Sequence, residues 1–251
     1  MTRFGQVLIA VLALAGEPGS AQPMPPLPPP RPSVAPSPTP PPAAPAEIRQ
    51  ETPGATGPAL PAVDADLCPS RLKAAGFEVD VAEQPSDPNE RCRIETPVRL
   101  KAVPVPSRPG TTVRLGDQPI LACRFADAFG HWLGNLVAPV VAGSLATELR
   151  SVRTGPGFVC RNRNGAATGK LSAHAEGLAI DIAGFELANG STLRIKPEPD
   201  TPPGPALSAL RTAACGWFTT VLGPGSDEAH ADHLHLDVQQ HGSSDRYRIC
   251  Q

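Results

Sequence analysis

Residues 177–185 read GLAIDIAGF, and the fold class of this chain follows from how that stretch is taken. Leu178, Ile180 and Ile182 alternate with Ala179, Asp181 and Ala183, a period of two that specifies a strand with three large apolar side chains on one face. Asp181 leaves the other face between two alanines, which keeps space beside its carboxylate. Gly177 lets the backbone turn just before the strand, and three residues earlier stands His174. A second stretch repeats the pattern: in HLHLDV, residues 233–238, Leu234, Leu236 and Val238 face one way while His233, His235 and Asp237 face the other. Two such strands, paired, send their apolar rows into one core. Asp181 and the histidines then share the opposite face, with His174 swinging in from the turn.

Two imidazoles and a carboxylate form the three-ligand set of a catalytic zinc, whose fourth position stays open to water. Such a centre keeps a net positive charge, lowers the pKa of bound water to about 7 and polarises a carbonyl. No thiolate belongs to the cluster, and the mixed nitrogen and oxygen set also admits manganese or iron. Either stretch alone is weak: a His in a turn and an Asp in a strand often share ordinary hydrogen bonds. Together they point to a metal site, because each assigns its polar members to one face and keeps an apolar back. His230 and His241 read either as surface loop residues or as groups that orient a ligand. His131 reads as an ordinary helical histidine.

Around this core the chain divides by composition. MTRFGQVLIAVLALAGEPGSAQ, at the start, has a positive residue, a short apolar stretch and small residues at Gly19-Ser20-Ala21, so residues 1–21 read as a cleavable export signal. Residues 22–65 are dominated by Pro, Ala, Ser, Thr and Gly and cannot bury a core. At about 3.1 Å per residue, such a polyproline tether reaches on the order of 100 Å. Residues 66–251 are expected to form one compact α+β domain: a small antiparallel sheet carrying the metal cleft, flanking helices and disulfides. No transmembrane helix is expected in the mature chain, and a periplasmic or secreted location follows.

Cys68, Cys92, Cys123, Cys160, Cys215 and Cys250 make an even set without the close CxxC pairs of a zinc ribbon, as expected of disulfides in an oxidising compartment. Six cysteines allow 15 connectivities; pairing of sequence neighbours, 68 with 92, 123 with 160 and 215 with 250, is the expectation. The 22 basic and 24 acidic residues leave a net charge of -2, with no basic field for a phosphate backbone, so nucleic acid is excluded as a partner. Aromatics, at 4%, are too scarce for long stacking platforms, though not for a peptide cleft.

A short capped helix is expected at 70–76, a strand at 77–81 and an extended piece at 98–105. Within 118–146, Leu121, Phe125, Phe129, Leu133 and Leu136 recur at helical intervals, with Pro139 as a kink or break. A further helix is expected to fill 205–223, from Pro205 to the Gly-Pro-Gly that follows.

LSAHAEGLAIDIAGF (171–185), VCRNRNG (159–165), ACGWFTTVLGPGS (214–226) and HADHLHLDV (230–238) resemble the bacterial extensin-like C-terminal domain family, over nearly all of Cys68–Cys250. The pattern SxHxxGxAxD with a late DxxH is also similar to the wider group of zinc D-alanyl-D-alanine carboxypeptidases, penicillin-insensitive murein endopeptidases and hedgehog domains. The resemblance implies His174, Asp181 and His235 as zinc ligands. It implies Asp232, matching the carboxypeptidase branch, or His233, matching the endopeptidase branch, as the group that moves the proton. A regular strand would put Asp232 on the wrong face; it reaches the water only if the strand begins at His233, so the two are assigned jointly. Arg161 and Arg163 are candidates to hold a substrate carboxylate, or else exposed arginines on a turn. Ser172 is expected to cap the turn at His174. The implied activity is hydrolysis of peptide bonds in peptidoglycan stem peptides; the alternative is a wall-binding or structural protein that keeps the metal without turnover.

Overall fold

The computed structural model describes residues 67–196, 204–242 and 247–251. The segments read as export signal and Pro-rich tether lie outside the described residues. The chain from Leu67 opens with helix α1 (Cys68–Ala74), which starts two residues before the expected position and has no side-chain cap; Pro69 sits in its first turn, where a missing N–H costs nothing. Strands β1 (Glu78–Val81) and β2 (Pro97–Pro104) follow, both at the expected places. Then come β3 (Thr112–Leu115), β4 (Ile120–Ala122), α2 (Cys123–Trp132) and α3 (Ala138–Leu145), the two helices joined by a π-helical turn over Leu133–Val137. Pro139 falls in the first turn of α3, so the break expected at this proline takes the form of a widened turn before it.

The remaining elements are β5 (Leu149–Thr154), β6 (Ala179–Leu187), β7 (Thr192–Arg194), α4 (Pro205–Ala214), β8 (Thr220–Leu222), β9 (Leu234–Asp237) and β10 (Ile249–Cys250). The domain is α+β, as expected, but its sheet is neither small nor wholly antiparallel. Ten strands join, in the order β1-β2-β3-β5-β6-β9-β8-β10, with β4 also on β2 and β7 also on β6. The pairs β3–β5 and β8–β10 are parallel. Among the described residues no helix is long and apolar enough to cross a membrane.

Two expected helical segments are shorter than their periodicity implied. Leu121 lies in β4, paired with Val98 of β2, and the helix begins only at Cys123. Its interval of four from Phe125 is a coincidence of a strand running straight into a helix. Similarly α4 ends at Ala214, and Thr220–Leu222, with two β-branched residues, pairs with β9 instead of prolonging the helix.

The core gathers Phe125, Phe129, Trp132 and Leu133 from the long helical stretch with Ile180, Ile182 and Phe185 of β6 and Leu234 and Leu236 of β9, all at most 1% exposed. The disulfides are Cys68–Cys123, Cys92–Cys160 and Cys215–Cys250. The expected 68–92 and 123–160 pairs are therefore corrected. Cys68 and Cys123 each open a helix, and α1 packs on α2, bringing their Cα atoms to 6.2 Å. Cys92, before β2, meets Cys160, beyond β5, with Cα atoms 5.5 Å apart. Both distances fit an unstretched bridge.

Candidate metal centre

β6 and β9 are antiparallel neighbours, and their register sets Asp181 directly opposite His235. Ile180 faces Leu236 and Ile182 faces Leu234 on the core side, so the apolar rows of the two strands fix which way the polar row points. His174 comes from a 3₁₀ turn, Ala173–Glu176, closed by Gly177 at φ +65°. A side chain on Gly177 would put its Cβ 2.8 Å from the backbone nitrogen of Ala122, whose N–H donates to the Gly177 carbonyl. The turn is thereby seated against the start of α2, and His174 is almost wholly buried.

Three side-chain atoms converge: His174 Nε2 lies 3.2 Å from both Asp181 Oδ1 and His235 Nδ1, and His235 Nδ1 lies 2.9 Å from Asp181 Oδ1. Ligands bound to one tetrahedral ion at about 2.0–2.1 Å stand roughly 3.3 Å apart, so this triangle has nearly the edge length of a zinc site. The tautomers are set from behind. His174 Nδ1 lies 2.7 Å from the Gly157 carbonyl, which can only accept, so that nitrogen carries the hydrogen and Nε2 presents a lone pair to the centre. His235 Nε2 donates in the same way to Asp237 Oδ2 at 3.1 Å, leaving the Nδ1 lone pair facing inward. Two lone pairs and a carboxylate oxygen facing one point repel one another unless a cation lies between them, and the donor set fits a metal of the zinc kind.

Without a metal ion, a proton at the centre takes the place of the cation. Burial disfavours charge on His235, but hydrogen bonds to Asp181 and Asp237 outweigh it and hold its pKa at about 9. Burial likewise works against the Asp181 carboxylate, and the hydrogen bonds from His174 and His235 overcome it, keeping Asp181 well below the ordinary carboxylate range. Asp237, also buried, is held low by His235 and by neighbouring hydroxyl and backbone donors. The centre thus has two ionised carboxylates, one facing it directly and one acting through His235.

His233 and Asp232 lie in the turn just before β9, so the strand starts one residue later than His233. His233 Nε2 stands 3.6 Å from Asp181 Oδ1, at the rim of the centre. Asp232 points its Oδ1 at His233 Nδ1, 3.0 Å away, and its side chain is 62% exposed. His230, left between two readings by sequence, is buried; its ring packs against those of His233 and His235, and its Nδ1 bonds Asp227 Oδ1 at 2.6 Å. Burial is the main cause that lowers the His230 pKa, against the pull of Asp227. His131 is remote from this cluster, bonded to Asp127 within α2.

Arg161 and Arg163 line a cleft of about 110 Å³ that also touches His230, His235 and Asp237. They are beside the centre without entering it. Ser172 lines the same cleft but makes no side-chain cap to the turn that it precedes. His241 forms another wall, with Nε2 2.7 Å from Thr220 Oγ1. Sequence reasoning passed over Asp237 and Gly157 as ring-orienting groups. Asp237 carried a usable signal, two residues beyond a ligand on the same strand face; Gly157, 17 residues before His174, carried none.

Residues 66–251 match the family model described as Extensin-like protein C-terminus, and the chain belongs to that family. No curated protein and no solved structure matches it.

Proposed function

We propose that this extensin-like protein is a periplasmic or secreted zinc-dependent peptidase that hydrolyses peptide bonds in peptidoglycan stem peptides. The observation that carries the proposal is the triangle of His174 Nε2, Asp181 Oδ1 and His235 Nδ1, with edges of 2.9–3.2 Å and both outer imidazole nitrogens tied to acceptors. Zinc held there supplies Lewis acidity toward a carbonyl and a nucleophile from water at neutral pH.

His174, Asp181 and His235 hold the ion, and Gly157 and Asp237 keep the two rings turned toward it. His233 takes and returns the proton. With Asp232 accepting from Nδ1–H, His233 Nε2 is left as the basic atom, facing the centre. Asp232 then acts through His233, as a positioning residue, which reconciles the two candidates. The choice of a wall peptide rests on the resemblance of the SxHxxGxAxD and DxxH patterns to murein peptidases, and the three disulfides fit an oxidising compartment.

Purified protein is expected to contain near one zinc per chain and to release D-alanine or stem fragments from peptidoglycan, read by metal analysis and mass spectrometry of one preparation. A His174→Ala variant that kept both properties would refute the proposal. His233→Ala should keep its zinc and lose about 10²–10⁴-fold in rate, with Asp232→Asn losing less. The exposed, outward position of Asp232 favours a second reading, a metal-retaining wall binder without turnover; zinc without hydrolysis, together with co-sedimentation with intact wall, would select it.

A further inference from the structure

The Cys92–Cys160 bridge differs from the other two in its surroundings. A carboxylate oxygen of Asp87 and the two sulfurs all lie within 4.8 Å of one another. Among the described residues, neither Cys68–Cys123 nor Cys215–Cys250 has a His, Asp or Glu atom that completes such a trio. Cys92 is buried, and Asp87 and Cys160 are half-buried, so water is partly excluded from the three. Once reduced, two sulfurs and a carboxylate oxygen held this close form a ligand set for a divalent ion of the zinc kind, with a fourth position left to water.

The backbone on both sides keeps the three together without the covalent bond. Asp87 Oδ1 accepts from the Asn89 N–H at 2.9 Å, and the Cys92 N–H donates to the Asn89 carbonyl at 2.8 Å, so carboxylate and first sulfur share one short turn. Cys160 lies between Val159, whose N–H donates to the His174 carbonyl at 3.3 Å, and Arg161, whose carbonyl accepts from the Ser172 N–H at 3.0 Å. The second sulfur therefore belongs to the stretch that supports His174. The two Cα atoms stand 5.5 Å apart. Two thiolates on one tetrahedral zinc are roughly 3.8 Å apart, against about 2.0 Å in a disulfide, and side-chain rotation supplies that difference. Nor does the core depend on the bridge: Phe125, Phe129, Trp132, Ile180, Ile182 and Leu236 are wholly buried among helices and sheet, in a domain long enough to hold its fold by apolar burial.

From this convergence we infer that Asp87, Cys92 and Cys160 form a second metal site in the reduced chain, a clip that takes a zinc-like divalent cation and gives way to the disulfide on oxidation. The inference goes beyond the peptidase reading and does not depend on it. Metal binding releases two protons, one from each thiol. Closure of the bridge then passes two electrons from the two sulfurs to the disulfide of a thiol oxidase, which takes up two protons and becomes a dithiol. The ion leaves because a disulfide sulfur is no longer an anionic ligand. In either state the loop between β1 and β2 stays fastened to the stretch that holds His174, so the first centre keeps its support, and Cys92 and Cys160 wait side by side until an oxidant joins them.

The test uses the full chain carrying His174→Ala, which removes a ligand of the first centre, and cobalt(II) as the probe, because a thiolate on cobalt gives an intense near-ultraviolet charge-transfer band. Reduced with a water-soluble phosphine, this protein is expected to bind near one cobalt with that band, and the oxidised protein to show no band. The paired change Cys92→Ser and Cys160→Ser should abolish the band, and Asp87→Ala should weaken cobalt binding about 10-fold or more. If reduction alone unfolds the chain, cobalt is expected to restore a cooperative thermal melt, and a chain that stays unfolded with cobalt overturns the clip. A folded, reduced protein without the band overturns it too, as does a band that survives the paired serine change or binding that Asp87→Ala leaves unchanged. On the reduced chain with His174 intact, cobalt should also shield Cys92 and Cys160 from alkylation while Cys215 and Cys250 react, and equal labelling of all four counts against the site. The peptidase reading fails separately, through an oxidised chain that holds no zinc or hydrolyses nothing.

Discussion

Asp237 never faces the proposed ion, yet it decides what His235 offers to it. Its carboxylate fixes the Nε2–H tautomer and, being ionised, makes the ring a stronger donor. Asparagine would still accept through its oxygen but would lose the charge. Asp237→Asn is therefore expected to lower zinc affinity by about 10- to 100-fold, measured by chelator competition, while the fold survives. His235 itself makes the metal-free protein sensitive to alkali. Its folded-state pKa of about 9 lies above the ordinary 6.5, so the folded chain holds this proton more tightly than the unfolded one. That stabilisation is full below about pH 6.5 and disappears as pH rises through about 9. Asp181 has the opposite sign: held low, it contributes stability above its ordinary value of 3.8 that is lost as pH falls further. Chelator-treated protein should show a melting temperature that declines from pH 6.5 to 9. The zinc-loaded protein should lose that decline, because the ion replaces the proton and binds better as protons leave.

At the scale of elements, the centre depends on contacts that reach back across the sheet. Gly157 has φ +80° and bridges Ile120, and a Cβ there would lie 2.6 Å from the Ile120 carbonyl oxygen and 2.8 Å from Leu121 Cδ2. Gly157→Ala should cost about 2 kcal/mol or more, the left-handed strain plus the clash, and should also weaken zinc binding because the Gly157 carbonyl holds His174 Nδ1. A thermal melt and a zinc titration on the same variant check both effects. The strands flanking the centre were legible in the sequence for a physical reason: a period of two with three large apolar residues admits one facing, and both β6 and β9 have it. β4 and β8 were not, since three residues give no period of their own and each abuts a helix whose pattern absorbs it. The same limit hid Gly157. A carbonyl acceptor has no side-chain signature, and its role exists only once β4 and the loop after β5 meet.

For the molecule as a whole, expected strands separated by helices of unequal length led to the α+β class, but the extent of the sheet depended on two parallel pairings between distant strands, which local pattern does not encode. The pairing of the first four cysteines was hidden for the same cause, whereas Cys215–Cys250 joins sequence neighbours as expected. It follows strand and helix order in space, and the first two bridges interlock along the chain, Cys68 to Cys123 across Cys92 to Cys160. A polypeptide entering an oxidising compartment amino end first exposes Cys68 and Cys92 together before either true partner arrives. An oxidase that joins thiols in order of emergence produces a dead-end 68–92 loop, and escape requires attack on that bond by another thiolate. Correct maturation of this protein should therefore demand a disulfide isomerase as well as an oxidase: expression in cells lacking the isomerase is expected to give a several-fold lower yield, with peptide mapping recovering the 68–92 linkage from the misfolded fraction.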